Sequence, residues 1–394
     1  MEIKNPSFIS NRARALNPSL TLEISAKAKE LKKAGKNICN LSAGEPDFDT
    51  PEFIIEATLQ ALKNGLTRYG PAAGDPELIE AIASKQNKIN NVATKPENVV
   101  VTNGGKQAIY NLFQVTLNPN DEVLIPAPYW LSYPEMALLA GAKPIIIKSS
   151  PSNGFKIKIE DLEACVTQRT KLLLLNSPNN PTGQVLAKSE MENIAEFLRR
   201  NPNILLMSDE IYEFLIDENQ VHHSFAAIAP DLQDRIFTVN GFAKGWAMTG
   251  WRIGYLVGPE EIIRKATALQ SQSTSNVCSF AQRGALAALQ GSRDSIDKMV
   301  KSYNYRRELL IKGLNEIEGI KLTPPKGAFY AFPQISIQKM NSIDFCKLAL
   351  DEVGLSMIPG IAFGEDSCVR ISCAVSNQTI IDGLNRLKVL MSKM

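Results

Sequence analysis

The sequence predicts an α/β fold: a large domain with a mainly parallel, helix-covered sheet, plus a smaller α+β domain built from both chain ends. Three observations predict it. Between residues 99 and 258, seven short and almost wholly apolar runs mostly alternate with segments of helical periodicity, the pattern of parallel strands buried on both faces. After Pro259 the pattern turns strongly helical as far as about Glu318. Finally, the chain is 394 residues long, more than one simple core holds, so about two domains are expected. The boundaries are placed at residues 49–290 for the large domain and 1–48 with 291–394 for the small one.

In chain order, Ser19 to Gly35 has helical apolar spacing and ends at a glycine. The stretch Leu41-Ser42-Ala43-Gly44-Glu45-Pro46-Asp47 is dense in turn formers. A helix comes next over Pro51–Asn64, with Thr50 as the expected cap, and another over Pro76–Asn90. The seven strand-like runs are Val99–Thr102, Glu122–Ile125, Pro144–Ile147, Lys171–Leu175, Ile204–Met207, Arg235–Val239 and Ile253–Val257. Lys106–Leu117 and Ser189–Arg200 are the clearest helices among them. The helical span after Glu260 is expected to cross between domains. The tail then adds extended segments within Gly319–Pro333, a helix at Ser342–Val353, strands near Ser356–Ile358 and Cys368–Cys373, and a terminal helix from Gln378.

Composition narrows the function. A net charge of +2 leaves no electrostatic footprint for nucleic acid or an anionic membrane. No apolar run approaches the length of a membrane span, and Met1–Ser10 lacks the pattern of a secretory signal. The six cysteines have neither C-x-x-C nor metal-ligand spacing, as expected of thiols in a reducing, cytoplasmic setting. The only histidines, His222 and His223, are adjacent. A zinc centre or a histidine-based serine hydrolase is therefore not expected, and no metal is predicted. Acid–base work falls to lysine, tyrosine and carboxylates.

In open α/β sheets, ligands bind beyond the carboxyl ends of the strands. The residues just past the ends of four runs make a set: Asn103-Gly104-Gly105-Lys106, then Asn176 to Gly183, then Ser208-Asp209-Glu210-Ile211-Tyr212, then Gly241-Phe242-Ala243-Lys244 with Arg252 eight positions on. A lysine desolvated near another cation has a lowered pKa and can attack a carbonyl as a neutral amine. Taken alone, Lys244 and Arg252 read equally as loop cations, Gly104-Gly105 as a helix cap, Asp209 as a cap after a strand, Trp130 as a core aromatic and Arg370 as a surface charge. As a set they bring amides, a carboxylate, a phenol and an amine to one edge. Gly104-Gly105 opening a helix suits an anion, and Lys106 and Arg252 make a phosphate ester the natural guest.

At this point the chain resembles the fold type I, pyridoxal-phosphate-dependent aminotransferases of classes I and II. The Gly241-to-Gly254 stretch fits the family's Schiff-base lysine signature, with Lys244 and Arg252 at the required spacing. Gly44-Glu45-Pro46-Asp47-Phe48, Tyr129-Trp130, Asn176 to Gly183, Ser208 to Tyr212 and Gly327-Ala328-Phe329-Tyr330 match in order, over essentially the whole chain. Together with Asn103 to Ala108 and Pro128 to Glu135, the set looks like the bacterial aspartate aminotransferase branch. The resemblance implies pyridoxal 5′-phosphate held by Lys244, which also shuttles the substrate proton. It implies that Asp209 pairs with the ring nitrogen, that Tyr212 and Asn180 bond the phenolic oxygen, and that Trp130 stacks on the ring. The phosphate would lie on the amides of Gly104 and Gly105, with Lys106, Arg252 and, from the neighbouring subunit of a homodimer, Tyr69. Arg370 would grip the substrate α-carboxylate, with the backbone of Gly44 beside it, and Trp130 and Asn180 also face substrate.

The expected reaction is ping-pong transamination of L-aspartate with 2-oxoglutarate. Prephenate, aromatic or alanine-type substrates, a lyase of the same fold, and a non-enzymatic effector-binding domain are the alternatives; the last expects an N-terminal DNA-binding domain, for which the chain starts too close to Gly44. Three departures from the family pattern stand out. Gly241 and Ala243 occupy places where relatives carry hydroxyl residues. Asp75 stands where an apolar residue is usual. Asn17 replaces a lysine shared by members that use prephenate, which removes a cation from the entrance and counts against that substrate. An acidic substrate side chain still needs a cation, and Lys106 is expected to supply it, with Arg12 or Arg14 from the N-terminal segment.

Overall fold

The computed structural model describes residues 8–18, 20–336 and 340–394. Ser19, expected to open the first long helix, and the first seven residues of the segment read for a secretory signal lie outside the described residues.

The seven apolar runs form one seven-stranded sheet. In chain order the strands are β1 (Val99–Thr102), β2 (Glu122–Pro126), β3 (Lys143–Ile147), β4 (Thr170–Asn176), β5 (Leu205–Asp209), β6 (Ile236–Gly241) and β7 (Gly254–Val257). Their order across the sheet is β1-β7-β6-β5-β4-β2-β3. Only β7 runs against the others; it is antiparallel to both β1 and β6, while the remaining pairs are parallel.

The runs are continuously apolar because both faces are covered. Val100, Leu172, Leu174 and Met207 pack on one side with the helices Gly105–Thr116 and Glu260–Ser273. Their neighbours Leu173, Leu175 and Leu206 pack on the other with Lys188–Arg200. Each such leucine contributes roughly 1.5–3 kcal/mol by leaving water, so an alternating polar residue here would be costly. Among the described residues no helix is long and apolar enough to cross a membrane.

A separate core gathers both chain ends: Cys39 and Leu41 with Phe329, Phe345, Ile371 and Leu387. Its strands are short. Cys39–Asn40 pairs in parallel with Leu355–Ser356, and Val369–Ser372 lies between Tyr330–Ala331 and Ile358–Pro359. The 22-residue helix Asp294–Asn315 joins the two cores. Ile296 packs with the large-sheet helices, whereas Tyr303, Leu310 and Leu314 belong to the second core. From this helix Arg306 Nη1 donates to both Asp47 oxygens, at 2.8 and 2.9 Å, which ties down the turn carrying Gly44.

One detail corrects the sequence reading, and another accounts for a residue it left unexplained. Thr50 does not cap the helix Glu52–Lys63, which has Pro51 at its N-cap. The Thr50 hydroxyl instead donates to the Ala247 carbonyl at 2.8 Å and accepts from the Trp251 indole at 3.0 Å. Asp75, the departure from an apolar residue, caps the helix Pro76–Lys88 by accepting from the Glu77 amide at 3.0 Å and pairs with Arg283 at 2.9 Å.

Candidate active site

The carboxyl ends of β1, β4, β5 and β6 open onto one cleft of about 610 Å³. β7 contributes its beginning instead, because it is reversed. Gly254, its first residue, lies in register with both Thr102 and Gly241. A Cβ on Gly254 would come within 2.4 Å of the Gly105 amide nitrogen, so only glycine lets β7 start that close to the helix opening at Gly105.

Lys244 sits on the segment between β6 and β7 and reaches across the cleft to donate to the Gly44 carbonyl at 2.6 Å. Its ammonium lies 5.7 Å from the Tyr212 ring and 5.6 Å from that of Phe329. Burial lowers its pKa from 10.5 to about 8, helped by the cations Arg370 and Arg252 and opposed by Glu45 and Asp209. An amine attacks only when neutral, so acylation of Lys244 in cofactor-free protein should rise with pH around a midpoint near 8. Mapping the modified peptide across a pH series checks this; a midpoint at the ordinary lysine value of 10.5 would contradict it.

Asp209 closes β5 and is 5% exposed. One carboxylate oxygen accepts from the Tyr133 phenol at 2.7 Å and the other from the Ile211 amide at 3.2 Å. Burial outweighs these hydrogen bonds and raises its pKa to about 6. A carboxyl group poised this way is ready to ionise against a positively charged partner. Tyr212, one turn on, holds its hydroxyl 3.0 Å from that of Tyr330; burial pushes its pKa well up and keeps the phenol protonated. Trp130 lines the cleft and packs edge-on to Tyr133 with ring centroids 5.3 Å apart.

At the other end, the first-turn amides of Gly105 and Lys106 have no acceptor within their own helix. Gly104 plays a different part from the one expected. Its amide donates to the Thr102 carbonyl at 2.7 Å, and its φ of 78° with no side chain leaves room for Arg252, whose guanidinium would lie 2.5 Å from a Cβ there. Arg252, itself at φ 58°, donates to the carbonyls of Thr249 at 2.9 Å and Asn103 at 3.4 Å. The Lys106 ammonium stands 5.0 Å from the Trp130 ring centroid, and burial, then Arg252, lowers its pKa. Amides, a guanidinium and an ammonium form an anion cradle.

Arg370, on Val369–Ser372, is 3% exposed rather than a surface charge. It donates to Asn180 Oδ1 at 3.1 Å and to the Ser42 carbonyl at 3.0 Å, and lies between the rings of Tyr330 and Phe363, at 4.5 and 5.1 Å. Its Nε is buried with no partner. Gly44 is adjacent: a Cβ there would be 3.8 Å from the guanidinium. Asn180 is held by its own amide, which donates to Asn176 Oδ1 at 2.9 Å.

Five expected contributors stay outside the lining of this cleft: Gly104 and Arg370, which border it through Gly105 and through Asn180 and Gly44, and three more distant residues. Tyr69 is 91% exposed, and Arg12 and Arg14 are exposed on the short helix Asn11–Arg14. Lys29, which the sequence does not single out, does line the cleft, as do Glu45 and Tyr133. Tyr133 comes one turn after Trp130, its amide donating to the Trp130 carbonyl at 3.0 Å as the chain enters the helix Ser132–Leu139. Nothing local marks Lys29, an exposed helical lysine. The cations at the cleft (Lys29, Lys106, Lys244, Arg252) outnumber the carboxylates (Glu45, Asp209), which suits an anionic guest. Asn17 faces away from that role: its amide and side chain both donate to the Glu135 carboxylate at 3.2 Å.

Comparison with known proteins agrees with this geometry. The family model for aminotransferase class I and II matches residues 36–387. A probable aspartate/prephenate aminotransferase of Rickettsia prowazekii is 43% identical, over 97% of this chain and 98% of the relative. An aspartate aminotransferase of Streptomyces avermitilis is 40% identical over 98% and 97%. The crystal structure of the aspartate aminotransferase from Rhizobium meliloti superposes with a TM-score of 0.94 at 36% identity, over 98% of this chain and 99% of that one. The aspartate aminotransferase from Thermus thermophilus with maleate gives 0.93 at 41% identity, over 98% and 100%. Together with a lysine, a carboxylate and an arginine fork meeting beyond the sheet, these matches place the chain in a family that implies pyridoxal phosphate and works on amino acids and 2-oxo acids: it belongs to the class I and II aminotransferases.

Proposed function

We propose that this cleft binds pyridoxal 5′-phosphate and transaminates L-aspartate with 2-oxoglutarate in a ping-pong cycle, yielding oxaloacetate and L-glutamate. The observation that carries this reading is one amine of lowered pKa, Lys244, set in the same cleft as Asp209, with the buried guanidinium of Arg370 against Asn180 and Gly44 of its lining. The residues fit the cofactor. Lys244 would hold it covalently, Asp209 would face its ring nitrogen, and Tyr212 and Asn180 its phenolic oxygen. Trp130 would stack on the ring, and the Gly105 and Lys106 amides with Arg252 would take the phosphate. Bound there, pyridoxal phosphate supplies an aldehyde carbon and a ring that accepts electrons from the substrate Cα.

This chain's residues do the rest. Arg370 binds the α-carboxylate through the terminal N–H groups left over beside Asn180 and Ser42, which orients the Cα–H bond. Asp209, ionised, keeps a proton on the nitrogen it faces. Lys244, as a neutral amine, would take the proton from the substrate Cα and give it back later in the cycle. Tyr69, exposed and away from its own cleft, serves the site of a second copy in a homodimer. The two cores support a division into residues 49–290 and 1–48 with 291–394.

Lys106, with Lys29 beside the mouth, selects the acidic side chain. Opposite charges about 4 Å apart near a surface attract by on the order of 4 kcal/mol before screening. Lys106→Ala should therefore cut the preference for aspartate over alanine by about tenfold or more. Steady-state rates decide, and an unchanged preference would remove Lys106 from the role.

The whole reading is tested by single amino acids added without an oxo acid. Aspartate and glutamate should each convert the bound cofactor to its amine form, and a purified protein with no borohydride-sensitive visible band would end the reading. Amination of prephenate is the second reading, because relatives are named for aspartate/prephenate. Against it, Asn17 is engaged by Glu135 and adds no positive charge. The rate with glutamate and prephenate separates the two.

A further inference from the structure

Asp209 and Tyr212 face the cleft, yet the residues between and beside them, Glu210 and Glu213, point the other way into a buried polar cluster. Glu210 is 1% exposed and Glu213 5%. The Lys85 ammonium contacts both Glu213 oxygens, at 2.5 and 2.6 Å, and also the Tyr255 hydroxyl at 3.3 Å. Asn90 donates to Glu213 at 3.0 Å. Glu210 accepts from the hydroxyls of Ser208 and Ser224, each at 3.0 Å, and from the Phe225 amide at 3.2 Å. Its second oxygen lies 3.3 Å from His222 Nε2.

Glu210, Glu213 and His222 bring potential ligand atoms within 4.8 Å of one another, but the Lys85 ammonium already occupies both oxygens of Glu213, so the cluster supplies its own cation. Its role comes instead from where it is attached. The turn is closed by the Glu213 amide donating to the Glu210 carbonyl at 2.9 Å, and the Glu210 amide is pinned to the Val239 carbonyl of β6 at 2.9 Å. Two buried carboxylates thus fasten the turn from behind at both ends, with Tyr212 between them and Asp209 directly before.

We propose that the Lys85–Glu213 pair, with Glu210 and its partners, is a positioning network that aims Asp209 and Tyr212 at the cofactor. Lys85 arrives from the helix Pro76–Lys88 and Tyr255 from β7, so the turn is held by elements from both neighbouring layers. A buried ion pair of this kind is a weak source of stability, since well-packed apolar residues often replace it without loss. That property separates aiming from mere folding, and the inference rests on the cofactor reading above.

The experiment compares Glu213→Gln with the double variant Lys85→Met/Glu213→Leu in the full protein. Glu213→Gln keeps acceptor oxygen for Lys85 and Asn90 but leaves a buried unpaired ammonium, so it should have the lower thermal midpoint. The double variant removes both charges and should melt near the parent, yet its turn is unfastened. Activity should therefore run opposite to stability. We expect kcat to fall about tenfold or more in the double variant, with KM changed by less than about threefold, and only by a few-fold in Glu213→Gln. The dissociation constant for pyridoxal phosphate, read by quenching of tryptophan fluorescence in cofactor-free protein, should rise about tenfold in the double variant. Parent-like kcat and cofactor affinity in a stable double variant would overturn the proposal, as would activity that simply follows thermal midpoint. If Glu213→Gln does not fold, the double variant against the parent still decides. An inactive parent would instead overturn the cofactor reading, whereas loss confined to the variants concerns the network alone.

Discussion

Lys244→Ala is expected to lower transamination by at least about 10³-fold while leaving the protein folded. The side chain is partly buried and makes one hydrogen bond, to the Gly44 carbonyl. Its charge is disfavoured there by burial and by the cations Arg370 and Arg252. Removing it takes away a strained cation rather than a prop, so the thermal midpoint of cofactor-free protein should stay within a few degrees of the parent. Turnover with aspartate and 2-oxoglutarate, measured beside a melting curve, checks both halves. Near-normal turnover would refute the role of Lys244, and a collapsed melting curve would show that the loss was structural.

Arg370→Lys should cost about 10²–10³-fold in kcat/KM, although the charge is kept. The guanidinium lies between Tyr330 and Phe363 and spends two donors on Asn180 and Ser42 while a third nitrogen faces no partner. An ammonium is one point of charge and cannot hold those two acceptors and grip a carboxylate with the same planar fork. The α-carboxylate is common to both substrates, so aspartate and glutamate half-reactions should fall by the same factor. Lys106→Ala, by contrast, should discriminate between acidic and neutral amino acids. Half-reaction rates with each amino acid test this; unequal losses for aspartate and glutamate would place Arg370 against a side chain instead.

Much of the site was legible because its residues lie just past strand ends. Asn180, Asp209 and Lys244 are each within a few positions of the point where an apolar run stops, and strand ends can be read from composition alone. The set of seven runs could likewise be read, because burial on both faces leaves few polar positions in them. Hidden from the sequence were facts that depend on pairing. The reversal of β7 is invisible in Ile253–Val257, since a strand buried on both faces looks alike in either direction. Arg370 reads as an ordinary strand charge until Tyr330 and Phe363 close around it from distant segments. Thr50 has the neighbours of a cap, but Ala247 and Trp251, some 200 positions away, won its hydroxyl. Asp75 was within reach: an aspartate before a proline that opens a helix is a capping signature, obscured only because relatives differ there.

The reversed β7 has a wider consequence. Residues 242–253 form a single bridge between two adjacent strand ends, Gly241 and Gly254, which face each other in register. Lys244 and Arg252 therefore share one span with both feet on the same sheet edge, so the distance from amine to guanidinium is set by the length of that span. Asn180 after β4, Asp209 with Tyr212 after β5, and Gly105 with Lys106 after β1 each serve one part of the cleft, so a change in one of those segments does not carry the amine and the guanidinium together. On this bridge, adding or deleting one residue would move the proposed covalent anchor and anion clamp together. There the spacing between the amine and the guanidinium is written as a residue count.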